Sequence, residues 1–163
     1  MSKQNNLLRI NIGILLNQIV GYSRDFHFEI PELELPPELV VKDFKGLARI
    51  SRTPQGLLVK GEFSANLELE CVRCLEKYPQ PLKAVFDELY AFSDRTATDS
   101  GLILPNDGYI DLQPLVREYL LIEIPIRPLC KPDCLGLCTV CGANKNYSLC
   151  SHEEAANNIA KVI

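Results

Sequence analysis

The clearest regularity along the chain is an alternation of apolar and polar residues over 57–71. Leu57, Val59, Gly61, Phe63, Ala65, Leu67, Leu69 and Cys71 fall on one side, Lys60, Glu62, Ser64, Asn66, Glu68 and Glu70 on the other, and Leu58 breaks the rule. A period of two predicts a strand, or two strands joined at a bend, with one buried face. Cys71 therefore lies on the inner face. Residues 46–52 read as another strand, and Thr53-Pro54-Gln55-Gly56 as the turn of a hairpin, because proline presets one torsion and glycine permits positive φ. Downstream, Leu82, Ala84, Phe86, Tyr90 and Phe92 share one side of a third long strand, with Glu88 the discordant member.

Towards the N-terminus, 7–16 fits a strand or a helix. Phe26-His27-Phe28-Glu29-Ile30 alternates and is expected to stop at Pro31, with Pro31, Pro36 and Pro37 marking an extended connection. The polar, small residues of 93–106 predict a mobile surface loop. Asp111 is placed to cap a helix over 112–123, with Pro114 tolerated in its first turn and Pro125 forbidding continuation. Leu112, Leu115, Val116, Tyr119, Leu120 and Ile122 would pack on the sheet. Ser151 and Glu154 have the spacing of a capping box ahead of Ala155, Ala156, Ile159 and Ala160, which predicts a short final helix. The expected class is α+β: a mainly antiparallel β-sheet or partly open barrel with one packed helix over 1–125, then a cysteine-rich zinc-knuckle tail over 126–163.

A length of 163 residues with 47% hydrophobic content suffices for a core. Seven cysteines raise the question of disulfides, which belong to secreted proteins. The first apolar stretch, 7–20, is interrupted by Arg9, Asn11 and Asn17 and lacks a small-residue cleavage site, so it resembles neither a signal peptide nor a membrane span. The expectation is a cytoplasmic chain with reduced thiols and no membrane partner. A net charge of −4 argues against binding nucleic acid mainly by neutralising phosphates. The tail is marginally basic: Arg127, Lys131, Lys145 and Lys161 face Asp133, Glu153 and Glu154.

The chemistry concentrates in Cys130-Lys-Pro-Asp-Cys134-Leu-Gly-Leu-Cys138-Thr-Val-Cys141-Gly142, followed by Cys150. A tetrahedral zinc site takes four thiolate or imidazole ligands, and two cysteines separated by two residues bend a tight turn around one metal. Metal would also supply the order that a tail with few large apolar side chains lacks. Cys71-Val72-Arg73-Cys74 adds a second, weaker C-x2-C pair, since Cys71 by itself also reads as a core residue and Cys74 as its half-buried neighbour. Cys71, Cys74, Cys130, Cys134, Cys138, Cys141, Cys150 and His152 make eight candidates, enough for one or two structural zinc ions. The preferred partition joins Cys71, Cys74, Cys130 and Cys134, leaving Cys138, Cys141, Cys150 and His152. A ribbon in which both C-x2-C pairs share one zinc is the alternative, and His152 stands open between ligand and solvated histidine.

Catalytic signatures fit poorly. His27-Phe28-Glu29 with Cys138-Thr-Val-Cys141 superficially matches a zinc deaminase, but no proline precedes Cys138 and more than a hundred residues intervene. A dithiol oxidoreductase usually starts a helix with its C-x-x-C, whereas Cys71 ends a strand and Cys141 leads into a loop. No phosphate-binding or dinucleotide fingerprint is present.

Cys71-Val72-Arg73-Cys74-Leu75 after an alternating strand, Ile110-Asp111-Leu112 opening a helix, and the run from Pro128 through Gly136-Leu137-Cys138 and Cys141-Gly142 to Asn144 and Asn146 together resemble the YceD-like large ribosomal RNA subunit accumulation proteins, long catalogued as a domain of unknown function. Cysteine-rich relatives finish in C-x-C where this chain has Cys150-Ser151-His152. The resemblance implies a non-catalytic ribosome-biogenesis factor supporting synthesis, processing or stability of 23S rRNA, with the large-subunit precursor, 23S rRNA or an assembly protein as partner and no small-molecule substrate. A thiol-based redox enzyme or zinc-dependent redox sensor is the alternative.

Overall fold

The structure is a computed structural model that describes residues 7–148 and 150–152. The chain divides into two units, Met1–Leu67 with Pro81–Ile124, and Glu68–Gln80 with Pro125–Ile163. The second unit is thus assembled from two pieces distant in sequence.

In the first unit the chain opens with β1 (Arg9–Asn11) and the single turn α1 (Gly13–Leu16), so 7–16 holds a strand and a helix in succession. Four long strands follow: β2 (Ser23–Leu35), β3 (Leu39–Arg52), β4 (Gly56–Glu70) and β5 (Lys77–Ala91). They form one sheet in the order β2-β3-β4-β5, while β1 pairs antiparallel with β6 (Tyr109–Asp111) in a second, small sheet. The large sheet is open, with β2 and β5 at its edges. The mainly antiparallel α+β class holds, and the described strands form no closed barrel.

The strands run further than local pattern suggests. Pro31 does not stop β2, which continues to Leu35 in register with β3. The reason is position: an edge strand has one side free of ladder bonds, so the missing proline N–H is tolerated there. The expected extended connection is instead a hairpin, with Leu35 opposite Leu39. The Thr53–Gly56 turn forms as expected, with the Thr53 N–H donating to the Gly56 carbonyl at 2.9 Å.

α2 (Gln113–Ile122) buries Leu115, Val116 and Leu120. The Asp111 carboxylate accepts the Gln113 N–H at 2.8 Å, one residue ahead of the cap position. Ile122 departs from the expected packing face and is 70% exposed. Phe44, Phe63, Phe86 and Tyr119 stack in sequence across β3, β4, β5 and α2, at centroid separations of 5.3, 5.9 and 4.9 Å. Gly61 permits this ladder, since a Cβ there would lie 2.5 Å from the Phe86 ring. Glu88, the discordant residue of β5, accepts the Tyr119 hydroxyl at 2.7 Å, which satisfies a polar group on the packed side.

The 93–106 loop is tied down rather than free. Ala91 donates to Leu102 and accepts from Leu104, both at 2.9 Å, and Asp94–Thr96 forms one 3-10 turn. The predicted final helix falls in 153–163, outside the described residues. Among the described residues no helix is long and apolar enough to cross a membrane.

Candidate metal centres

The second unit is built around turns that carry its cysteines. Cys71–Glu76 connects the end of β4 to the start of β5. There the Cys71 N–H donates to the Glu76 carbonyl and the Leu75 N–H to the Cys71 carbonyl, both at 2.9 Å. Leu75 adopts φ 61°. The Cys138–Ala143 turn repeats the arrangement: Cys138 N–H to Ala143 carbonyl at 2.8 Å, Gly142 N–H to Cys138 carbonyl at 2.9 Å, and φ 73° at Gly142. Two segments with different surroundings have folded into the same knuckle. In each, the left-handed residue after the second cysteine turns the chain back so that N–H groups converge on the first sulfur.

The sulfurs gather in two groups. Cys71, Cys74, Cys130 and Cys134 have ligand atoms within 4.8 Å of one another, as do Cys138, Cys141, Cys150 and His152. The described residues thus pair each knuckle with a different second segment, and the two C-x2-C pairs do not share one centre as a ribbon requires. In the first group Sγ–Sγ distances are 3.8 Å for Cys71–Cys134 and 3.6 Å for Cys74–Cys130. Four sulfurs at the zinc–thiolate distance of about 2.3 Å, arranged tetrahedrally, stand about 3.8 Å apart. A disulfide would need about 2.05 Å. The donor set and spacing fit a four-coordinate ion, and each group can hold a metal.

Burial separates the two groups. Cys71, Cys74 and Cys134 are 0, 3 and 2% exposed and pack with Tyr78, Leu129, Cys130 and Leu137 into a small apolar core. In the second group Cys138 is buried, Cys150 half-buried and Cys141 exposed.

The protonation pattern follows the knuckles. Burial would push Cys71 up, but the N–H groups of Cys130, Cys74 and Arg73 outweigh it and hold the thiol down at about 6. The N–H groups of Cys141 and Val140, with the Cys150 thiol, bring Cys138 to about 6 as well. Cys130 is pushed up to about 12 by burial and by the thiols of Cys74, Cys134 and Cys71. For Cys74 the Glu76 N–H works against burial and the Cys71 thiol, which leave it raised; Cys150 is likewise raised, against the His152 N–H, by the Cys138 thiol and burial. Clustered thiolates repel one another, and a divalent cation at their centre removes that repulsion.

The family described as "Large ribosomal RNA subunit accumulation protein YceD" matches residues 59–161, a span that carries all eight candidate ligands. The chain belongs to that family. It is 35% identical to an uncharacterised protein of Mycobacterium tuberculosis over 101 residues, 58% of this chain and 47% of the relative. It is 31% identical to the uncharacterised protein YlbN of Bacillus subtilis over 71 residues, 43% of this chain and 41% of that protein. A chloroplastic large ribosomal RNA subunit accumulation protein of Zea mays, YCED homolog 1, is 42% identical over 40 residues, 24% of this chain and 14% of the maize protein. The chain thus spans less than half the length of these relatives. No solved structure matches it.

Several residues that shape the first centre carry no ligand signal of their own. The Asn146 amide donates to the Cys134 sulfur at 3.4 Å and is the leading cause of that thiol's lowered pKa. Its oxygen accepts the Leu135 N–H at 2.9 Å, and Asn144 Oδ1 accepts from the Asn146 amide at 2.8 Å. Arg73 donates to the Cys134 carbonyl at 2.9 Å, and its own carbonyl accepts the Leu137 N–H at 3.1 Å. Together these bonds tie the Cys71–Cys74 turn to the Cys130–Cys138 segment. The sequence signal was the Asn144-Lys-Asn146 pair, part of the family motif yet without an evident role. The Arg73 guanidinium thus acts on a backbone carbonyl of the cysteine segment.

Proposed function

We propose that this protein is a non-catalytic factor in large ribosomal subunit biogenesis, acting on the synthesis, processing or stability of 23S rRNA in the cytoplasm. Family membership over 59–161 carries the reading. Both cysteine groups hold zinc, the first through Cys71, Cys74, Cys130 and Cys134 and the second through Cys138, Cys141, Cys150 and His152. Spectroscopically silent and without redox chemistry, zinc in a closed four-ligand site contributes folding free energy. The cysteines thereby keep a recognition surface in shape for the large-subunit precursor, its 23S rRNA or an assembly protein.

Two measurements test this. Purified protein should contain two zinc ions per chain, and deleting the gene should lower mature 23S rRNA without an equal loss of 16S. Unchanged 23S levels would remove the biological role. A second reading, a thiol-based redox enzyme or sensor, draws on the exposed Cys141 beside the low-pKa Cys138. Protein isolated without metal and alkylated rapidly at Cys138 would establish that reading in place of the first.

A further inference from the structure

The outer edge of β2 borders a cleft of about 590 Å³ in the first unit. All of residues 24–28 line one wall, with Arg9, Asn11 and Ile14 on the other. Consecutive strand residues point to opposite faces, so a cleft touching five in a row looks onto the edge of the strand. Sheet order agrees, because β2 has β3 on one side and β1 pairs with β6.

The ladder shows which backbone groups face that cleft. Arg52 donates to the Tyr22 carbonyl at 2.7 Å, and bonded and non-bonded pairs alternate along an antiparallel ladder. Carried through the unbroken register from Ser23 opposite Ser51 to His27 opposite Leu47, this alternation turns Arg24 and Phe26 towards β3 and Asp25 and His27 towards the cleft. The side chains agree: Asp25 and Arg49, opposite in a non-bonded pair where side chains lie closest, form a two-pronged ion pair at 2.6 and 2.7 Å. Among the described residues no backbone hydrogen bond reaches Asp25 or His27 from the cleft side.

Charge and apolar surface complete the site. Asp25 is engaged by Arg49, and Arg9 by Asp107. Arg24 makes no ion pair among the described residues and lies 5.3 Å over the Phe26 ring. Ile14 is 58% exposed. We propose that the β2 edge binds an extended, acidic peptide segment of a protein partner by β-strand addition: its main chain bonds to Asp25 and His27, a carboxylate meets Arg24, and alternate apolar residues cover Ile14 and Phe26. A strand edge offers alternating donors and acceptors, which a peptide backbone matches; phosphodiesters supply acceptors alone. The site uses neither cysteine group and stands apart from the metal assignment.

The test uses the full zinc-loaded chain with three fluorescent probes: an octapeptide alternating valine and glutamate, its valine–lysine counterpart, and octauridylate. The acidic peptide should bind below about 1 mM, shift the Asp25 and His27 amides, and lose at least about tenfold in affinity with Arg24→Glu. His27→Pro deletes a cleft-facing N–H but no ladder bond, so it should abolish binding and leave the melting curve in place. Should that variant unfold, Arg24→Glu decides alone, and unchanged binding overturns the proposal. Equal binding of the lysine peptide, no binding of the acidic one, or octauridylate binding that survives His27→Pro also overturns it, the last in favour of RNA.

Discussion

The knuckle at Cys71–Cys74 and the knuckle at Cys138–Cys141 fold their backbones alike, down to the left-handed residue that follows and the N–H groups aimed at the first sulfur. Around the first lie Tyr78, Leu129 and Leu137, and its partners Cys130 and Cys134 come from a loop joined to it by Arg73. Around the second, Cys141 is exposed, and the other candidate ligands are Cys150 and His152. Backbone geometry makes a thiol cluster able to take a metal. The shell around it decides how firmly the metal is held and how readily solvent and chelators reach it.

The sharpest test of this contrast is removal of one ligand from each group. Cys74→Ser should lose one zinc and the ordered packing of Tyr78, Leu129 and Leu137 around the first group, because structural zinc contributes on the order of 10 kcal/mol of folding free energy. Cys141→Ser should lose one zinc and keep the other. Metal analysis with circular dichroism reads both, and loss of both ions from Cys141→Ser would mean that the groups are one cooperative site.

Proton linkage gives the next largest effect. Cys130 and Cys74 are both raised, so at pH 7 the metal-free first group holds at least these two protons, which zinc must displace. Affinity should therefore fall at least about 100-fold per unit decrease in pH near neutrality. The fall should steepen below about 6, where Cys71 also takes a proton. Calorimetry in buffers of different ionisation enthalpy counts the protons, and release of fewer than two contradicts the assignment.

Asn146→Ala should weaken the first centre about 10- to 100-fold and leave the second unchanged, since Asn146 orients a ligand that it does not replace. Competition with a chromophoric chelator, after cobalt substitution to distinguish the sites, reads each affinity. Smallest is the effect of the knuckle turns. Gly142→Leu forces a side chain into the left-handed region and should cost about 1 kcal/mol, whereas Leu75→Gly should gain a similar amount, Leu75 being 56% exposed and leaving little burial to lose. Thermal melts of the two variants should move in opposite directions; parallel shifts would mean that the knuckles are not equivalent.

Features that depend on near neighbours were legible in advance. The period-two run put Cys71 on the buried face of a strand, and the structure leaves it 0% exposed. Pro125 ended α2 as expected. What escaped local pattern were matters of partnership. Pro31 reads as a stop until β2 proves to be an edge, and Glu88 reads as an error until Tyr119 arrives from α2. Asn146 is one more polar loop residue until Cys134 lies beside it.

By itself the sequence determined the thiol count, the two C-x2-C spacings, the alternating strands and the family, because each is carried by spacing along the chain. The tertiary structure decided which cysteines share a centre, which centre is buried, and which strand edge remains open. Those outcomes depend on contacts between segments far apart in sequence, formed only when the strand ends at Glu68–Gln80 come together with the chain beyond Pro125. Spacing prepared two knuckles, and packing made them different.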